Sequence, residues 1–189
     1  MGVFMATLDT THRPARTNAA LRNYYLTRGL VAAGWVAAAF TIGQRAPLAA
    51  AALLVAYPAW DAAANLFDAA RSGGLARNRS QAINAVVSSI AALAILFTLG
   101  DIKTVVGLFG AWAIVAGLLQ LATGVRRWKA FGAQWTMVLS GAQSALAGGF
   151  FIKQSFGVVH GITDVAPYAG FGAFYFLVSA LWLTVRRGR

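Results

Sequence analysis

The sequence has 189 residues, of which 59% are hydrophobic and only 11% are charged, and it contains no cysteine. A soluble domain normally carries about 25% charged residues to keep its surface hydrated, so lipid is the expected solvent for this chain. The absence of cysteine excludes disulfide bonds, thiolate metal sites and cysteine nucleophiles. The two histidines, His12 and His160, lie outside the apolar segments, so the sequence predicts no metal site and no cofactor.

The formal net charge of +11 would normally suggest a nucleic-acid partner. That interpretation requires basic residues clustered on a folded surface. Here they occupy short gaps between long apolar runs, which is the pattern that membrane topology produces. We therefore predict the lipid bilayer as the partner and no nucleic acid.

Six stretches of the chain are long and apolar enough to span a bilayer as helices. A hydrocarbon core about 30 Å thick requires about 20 helical residues. The stretches that meet this requirement are 24–42, 47–67, 82–99, 104–123, 131–152 and 166–185. The predicted fold class is an all-α integral membrane protein. Its six-helix domain at 24–185 lies between an N-terminal segment, 1–23, and a tail, 186–189.

The basic residues lie almost all on one side of this arrangement. The outer turns hold only Arg45, Lys103 and Lys153. The other thirteen lie on the inner side: Arg13, Arg16, Arg22, Arg28, Arg71, Arg77, Arg79, Arg126, Arg127, Lys129, Arg186, Arg187 and Arg189. Because cytoplasmic loops carry an excess of Lys and Arg, this asymmetry predicts that both termini lie in the cytoplasm.

The six segments pair into three helical hairpins that repeat at a spacing of about 55–60 residues. Thr-Ile-Gly at 41–43 recurs as Thr-Leu-Gly at 98–100, and each hairpin ends in a basic cluster. The pattern predicts three copies of one hairpin. A chance match between apolar segments of low diversity is the alternative.

The third hairpin contains a tryptophan, Trp135, followed by Leu-Ser-Gly at 139–141 and Ala-Gly-Gly at 147–149. In this arrangement the chain resembles the HdeD-like short-repeat membrane proteins of bacteria, most closely over residues 81–153. The resemblance implies a six-helix inner-membrane protein. It also implies a link to stress response and acid resistance, and it transfers no catalytic residue.

Nine polar or ionisable residues within or beside the apolar segments form what we call the polar set: Arg28, Tyr57, Asp61, Asn65, Asp68, Asn84, Gln120, Ser140 and Gln143. A charged carboxylate inside a membrane helix costs about 2.5–3.5 kcal/mol on insertion scales, so Asp61 is the first functional candidate. The four members from Tyr57 to Asp68 share one helix face at i, i+4, i+8 and i+11. Pro58 predicts a kink beside them.

Hairpin geometry predicts which members of the polar set lie at the same depth. Residues equidistant from a short turn share a depth because each helical residue rises 1.5 Å. Arg28 and Asp61 are equidistant from the first turn, so they can meet in the inner part of the bilayer. The same rule gives two further pairs of equal depth, Asn84 with Gln120 and Ser140 with Ser179.

Two functions fit such a polar centre. The first is a non-enzymatic stress-associated protein in which Asp61 changes protonation and Arg28 tunes it. The second is a small transporter or channel for protons, ions or a small solute. A purely structural role, in which the polar groups lock the helices together, is the alternative to both. No enzymatic activity is predicted, because no base lies beside a nucleophile at membrane depth.

Three features outside the polar set also carry predictions. His160, in an outer loop, is a candidate external pH sensor, because histidine is the side chain that usually serves as a pH switch, and a solvated loop histidine is the alternative. Asp101 is expected to cap its turn or the following helix. Glycines such as Gly141 and Gly148, which share one helix face, let helices approach closely. The close contact can lie within the chain or between copies in a homo-oligomer, because both predict the same row of small residues.

Overall fold

The computed structural model describes residues 18–71, 73–126, 128 and 134–185, and within them the chain forms six α-helices and no strand. The helices are α1 (Asn18–Ala38), α2 (Pro47–Arg71), α3 (Arg79–Thr98), α4 (Ile102–Arg126), α5 (Gln134–Ser155) and α6 (Ile162–Val185). A π-helical turn, Ala39–Gly43, follows α1, and the amide of Gln44 donates to the carbonyl of Ala39 there. The predicted all-α class is confirmed.

The observed helices extend beyond the predicted ranges at several ends. α1 begins at Asn18 rather than at 24, so it takes in part of the predicted segment 1–23. α6 begins at Ile162 rather than at 166, so the connection before it is only 156–161 and is shorter than predicted. Hydropathy marks the part of a helix inside the hydrocarbon, whereas a helix continues through polar residues wherever its backbone bonds can form.

Several predictions fall on residues outside the described ranges. They are the first seventeen residues, the start of the fifth predicted helix at 131–133, and the tail 186–189. The basic residues and the histidine that lie there are His12, Arg13, Arg16, Arg127, Lys129, Arg186, Arg187 and Arg189.

Five of the described helices are long and apolar enough to cross a membrane: Ala19–Gly43, Pro47–Arg71, Arg79–Thr98, Ile102–Arg126 and Ile162–Val185. α5 has 22 residues, about 33 Å of helix, but polar side chains such as Gln143 lower its hydropathy. Large apolar side chains are exposed on the outer surface, including Leu30, Phe97 and Leu146 at 58%, 84% and 77%. These are the properties of a multi-pass membrane protein.

The helices form a ring in chain order, which closes where α6 packs against α1. The most extensive interfaces are α4 with α5, α1 with α6 and α2 with α3. The two helices of a predicted hairpin touch less, and α1 makes few contacts with α2. The tightest pairs therefore join one hairpin to the next.

Glycines allow the close packing of α4 on α5. A Cβ atom on Gly141 would lie 2.6 Å from the backbone nitrogen of Leu121, and one on Gly117 would lie 2.7 Å from the carbonyl oxygen of Gly141. Gly110 would meet the carbonyl oxygen of Gly148 at 2.7 Å in the same way. No side chain fits at these positions, so these glycines serve contacts within the chain.

Candidate functional site

Aromatic side chains fill the interior of the helix ring at one of its ends. We call it the turn end, because it carries the connections 44–46, 99–101 and 156–161. We name this cluster the aromatic plug, and its members are Trp35, Tyr57, Phe109, Trp112, Phe151 and Tyr168. Centroids of contacting rings lie 4.9–6.4 Å apart, mostly in edge-to-face arrangements. The plug closes the interior toward the turn end.

Next to the plug, the ring encloses a cavity of about 140 Å³ to which all six helices contribute. All nine members of the polar set line it. Along α2 it runs from Tyr57 to Asp68, a rise of about 16 Å. It thus extends toward the opposite end, which we call the basic end, where α2 ends at Arg71, α3 begins at Arg79 and α4 ends at Arg126.

Arg28 and Asp61 form an ion pair between α1 and α2 on the cavity wall. The contact expected from their equal depth is therefore confirmed. Their side chains are only 15% and 10% exposed. Arg28 also donates to the hydroxyl of Tyr24 at 3.1 Å and lies 4.6 Å above the ring of Phe176.

The second carboxylate oxygen of Asp61 accepts three more hydrogen bonds. The amides of Asn65 and Asn84 each donate at 3.1 Å, and the hydroxyl of Ser88 donates at 2.8 Å. The indole of Trp112 donates to Ser88 at 2.9 Å and so directs that hydroxyl proton toward Asp61. Because every one of these partners of Asp61 is a donor, the arrangement suits the ionised carboxylate.

The remaining members of the polar set behave differently from Asp61. Asp68 accepts a hydrogen bond from the amide of Gln81 at 3.2 Å. The side chains of Gln120, Ser140 and Gln143 line the cavity without a hydrogen bond to any other described residue. Three polar groups on the α4–α5 wall thus face the cavity unpaired.

The other two pairs of equal depth do not meet. Asn84 turns toward Asp61 rather than toward Gln120. Ser179 donates to Thr136 at 2.7 Å rather than to Ser140. The number of residues from the turn determines how deep a residue lies, but it does not determine the direction in which the side chain points around the helix.

Sequence reasoning missed two members of the Asp61 network. Ser88 follows Gln81 and Asn84 at i, i+3 and i+7, and this shared face of α3 was a usable signal. Trp112 carried no such signal, since an indole in an apolar helix is more often a core residue.

Two predicted residues lie at the turn end, away from the cavity. The amide of Lys103 and the hydroxyl of Thr104 donate to Asp101 at 3.0 and 2.6 Å, which confirms the predicted cap. The bond from Thr104 holds the pKa of the Asp101 carboxyl below its usual value. His160 is exposed, and its Nδ1 lies 3.4 Å from a carboxylate oxygen of Asp164. A sensing role for His160 stays a prediction.

Within the described ranges, no group of three or more acidic or histidine side chains is placed to hold a metal ion. Comparison with protein-family models, with curated proteins and with solved structures finds no match to this chain. Its resemblance to the HdeD-like proteins therefore stays a prediction.

Proposed function

We propose that the chain is a non-enzymatic, six-span protein of the bacterial inner membrane whose cavity admits a small solute from the cytoplasm, as a transporter does. The observation that carries this proposal is the convergence of the whole polar set on one cavity. The cavity runs toward the basic end, and the aromatic plug closes the other side. A concave chamber with a few convergent polar groups, open toward one side, is a site that a small solute can enter and occupy.

Six spans and a cytoplasmic basic end are part of this proposal. α5 serves as the sixth span, because it packs between the apolar helices α4 and α6 and its polar residues face the cavity. The excess of cations predicts that the basic end is cytoplasmic. Trp135 and Trp182 contact each other at that end, with ring centroids 6.0 Å apart, where an aromatic belt would meet the lipid headgroups.

The presence of the cavity favours a solute pathway over a purely structural role in which the polar groups only hold the helices together. Protein interiors are packed about as densely as organic crystals and contain few voids larger than a water molecule. A space of about 140 Å³ lined by amides and hydroxyls has room for several water molecules or for one small organic solute.

A proton-responsive role for Asp61, which the HdeD-like resemblance favours, receives less support from the contacts. Its carboxylate already accepts hydrogen bonds from Arg28, Asn65, Asn84 and Ser88. The bonds from Arg28, Asn84 and Ser88 join α2 to α1 and α3. The network therefore favours Asp61 as a fixed anchor between helices, and the acid-stress role stays a prediction.

Access to the cavity can be tested with single cysteines, because the natural chain has none. We expect Ser140→Cys, on the cavity wall, to react with an uncharged, sugar-linked thiol reagent that is too polar to cross the membrane when it is applied to inside-out vesicles, and not when it is applied to right-side-out vesicles. The matched control is Leu146→Cys on the same helix, whose side chain is 77% exposed on the outer surface. A thiol facing lipid forms no thiolate and should not react. Labelling of Ser140→Cys from the outer side alone, or no labelling, would contradict the proposal.

The same reagent tests the topology. Arg45→Cys lies at the turn end and should react only in right-side-out vesicles. Leu75→Cys, in the exposed connection between α2 and α3, should react only in inside-out vesicles. If both cysteines reacted from the same side, an even number of spans would separate them and the proposed arrangement would be wrong.

A further inference from the structure

The α4–α5 wall of the cavity presents hydrogen-bonding groups without partners. Gln120 projects from α4, and Ser140 and Gln143 project from α5. None of the three side chains has a hydrogen bond to another described residue. The three side chains are only partly buried, so water can bond to them until polar groups of a solute replace it.

Asn84 adds a fixed acceptor on the facing wall. Its amide nitrogen donates to the Asp61 carboxylate at 3.1 Å, and the opposite orientation would set two oxygens against each other. The Asn84 Oδ1 is therefore held as an acceptor, and it is buried without a partner. With almost no accessible surface, this oxygen is out of reach of a solute in the cavity, so recognition depends on the three groups of the α4–α5 wall.

The unpaired groups are all uncharged, and α4 and α5 contribute no charged residue to the cavity. Three charged residues line the other side. Arg28 and Asp61 neutralise each other, and Asp68 accepts a hydrogen bond from Gln81 and has a further contact, so it is not free to pair with a solute. An ionic solute would leave water without gaining a free counter-charge, which is strongly unfavourable. The wall therefore selects for an uncharged solute.

The size and the walls of the cavity favour a flat solute. A closed cavity of about 150 Å³ accommodates benzene, so this cavity of about 140 Å³ suits a single six-membered ring, and its extension toward the basic end leaves room for a small substituent. Three members of the plug, Tyr57, Trp112 and Tyr168, line the cavity with their rings and offer aromatic surfaces for contact with a solute.

We infer that the cavity binds an uncharged, planar, single-ring molecule that carries an amide group. This inference rests on the proposed function and names its solute class. The ring contacts Tyr57 and Trp112, and the amide pairs with the side chains of Gln120 and Gln143. A primary amide presents an adjacent donor and acceptor, which match the donor and acceptor of a glutamine side chain in a two-bond pair.

The test uses three probes of nearly equal size on the purified full chain in detergent, with binding measured by isothermal titration calorimetry. We expect benzamide, which is neutral, to bind at least tenfold more tightly than the benzoate anion or the benzylammonium cation. Gln143→Leu should weaken benzamide binding at least tenfold. Gln154→Leu, on the same helix but outside the cavity, should leave it unchanged.

Each other outcome overturns the inference and is distinct from a failure of the proposed function. Tighter binding of benzoate or benzylammonium would assign the cavity to a charged solute and leave the pathway intact. An equal loss of benzamide affinity in Gln143→Leu and Gln154→Leu would also overturn the inference, and so would the absence of binding by any probe. Access to the cavity itself is decided separately by the labelling of Ser140→Cys.

Discussion

Asp61→Asn should lower the free energy of unfolding by about 3–5 kcal/mol, the usual cost of leaving one member of a buried ion pair alone. The amide nitrogen has to occupy one of the two carboxylate positions. At one it faces the guanidinium of Arg28, and at the other it faces the donors of Asn65, Asn84 and Ser88. Unfolding by titration with sodium dodecyl sulfate in mixed micelles measures the change.

The matched control is Asp101→Asn, which makes the same chemical change at the exposed turn end. Asparagine caps helices about as well as aspartate, so this variant should keep the stability of the natural chain. A double variant, Arg28→Met with Asp61→Leu, removes both charges and should be more stable than Asp61→Asn. If Asp61→Asn unfolded like the control, the network would not anchor the helices.

Gly141→Ala should destabilise the protein by about 1–3 kcal/mol, the range for forcing an extra methyl group into a packed interface. The new Cβ would lie 2.6 Å from the backbone nitrogen of Leu121, so α4 and α5 have to separate. The same titration measures the effect, and benzamide binding should weaken as well, because Gln120 and Gln143 lie on these two helices.

Gly149→Ala provides the control on the same helix, since a Cβ there would meet no atom within 4 Å. Alanine is a better helix former than glycine, so this variant should be as stable as the natural chain or more stable by about 0.5–1 kcal/mol. Equal destabilisation by both changes would show that the close approach of α4 and α5 at Gly141 does not determine the result.

Hydropathy and hairpin geometry predicted much of the fold and part of the site. Apolar length located all six helices, and the short first turn placed Arg28 opposite Asp61 because depth follows directly from the rise per residue. The partner of Asn84 was not predictable in this way. It depends on which neighbour α3 packs against, and α3 lies closer to α2 than to α4.

Other parts of the site depend on tertiary contacts that no local pattern encodes. Trp112 donates to Ser88 across the interface between α4 and α3. The side chains of the aromatic plug come from five helices, and hydropathy does not predict how these helices are arranged around the cavity. The length of α5 predicts a membrane span, but the polar residues on one of its faces are explained only by the cavity that they line.

The way the ring closes has a consequence for biosynthesis. α1 is synthesised before the other five helices of the ring, but its main neighbour is α6, and it makes few contacts with α2, the helix that follows it. During synthesis the first helix therefore waits in the lipid, with Gly29 and its surroundings uncovered, until Leu177 arrives to pack against it. A chain that stops after α5 would lack that partner, so the ring closes only after α6 has been synthesised.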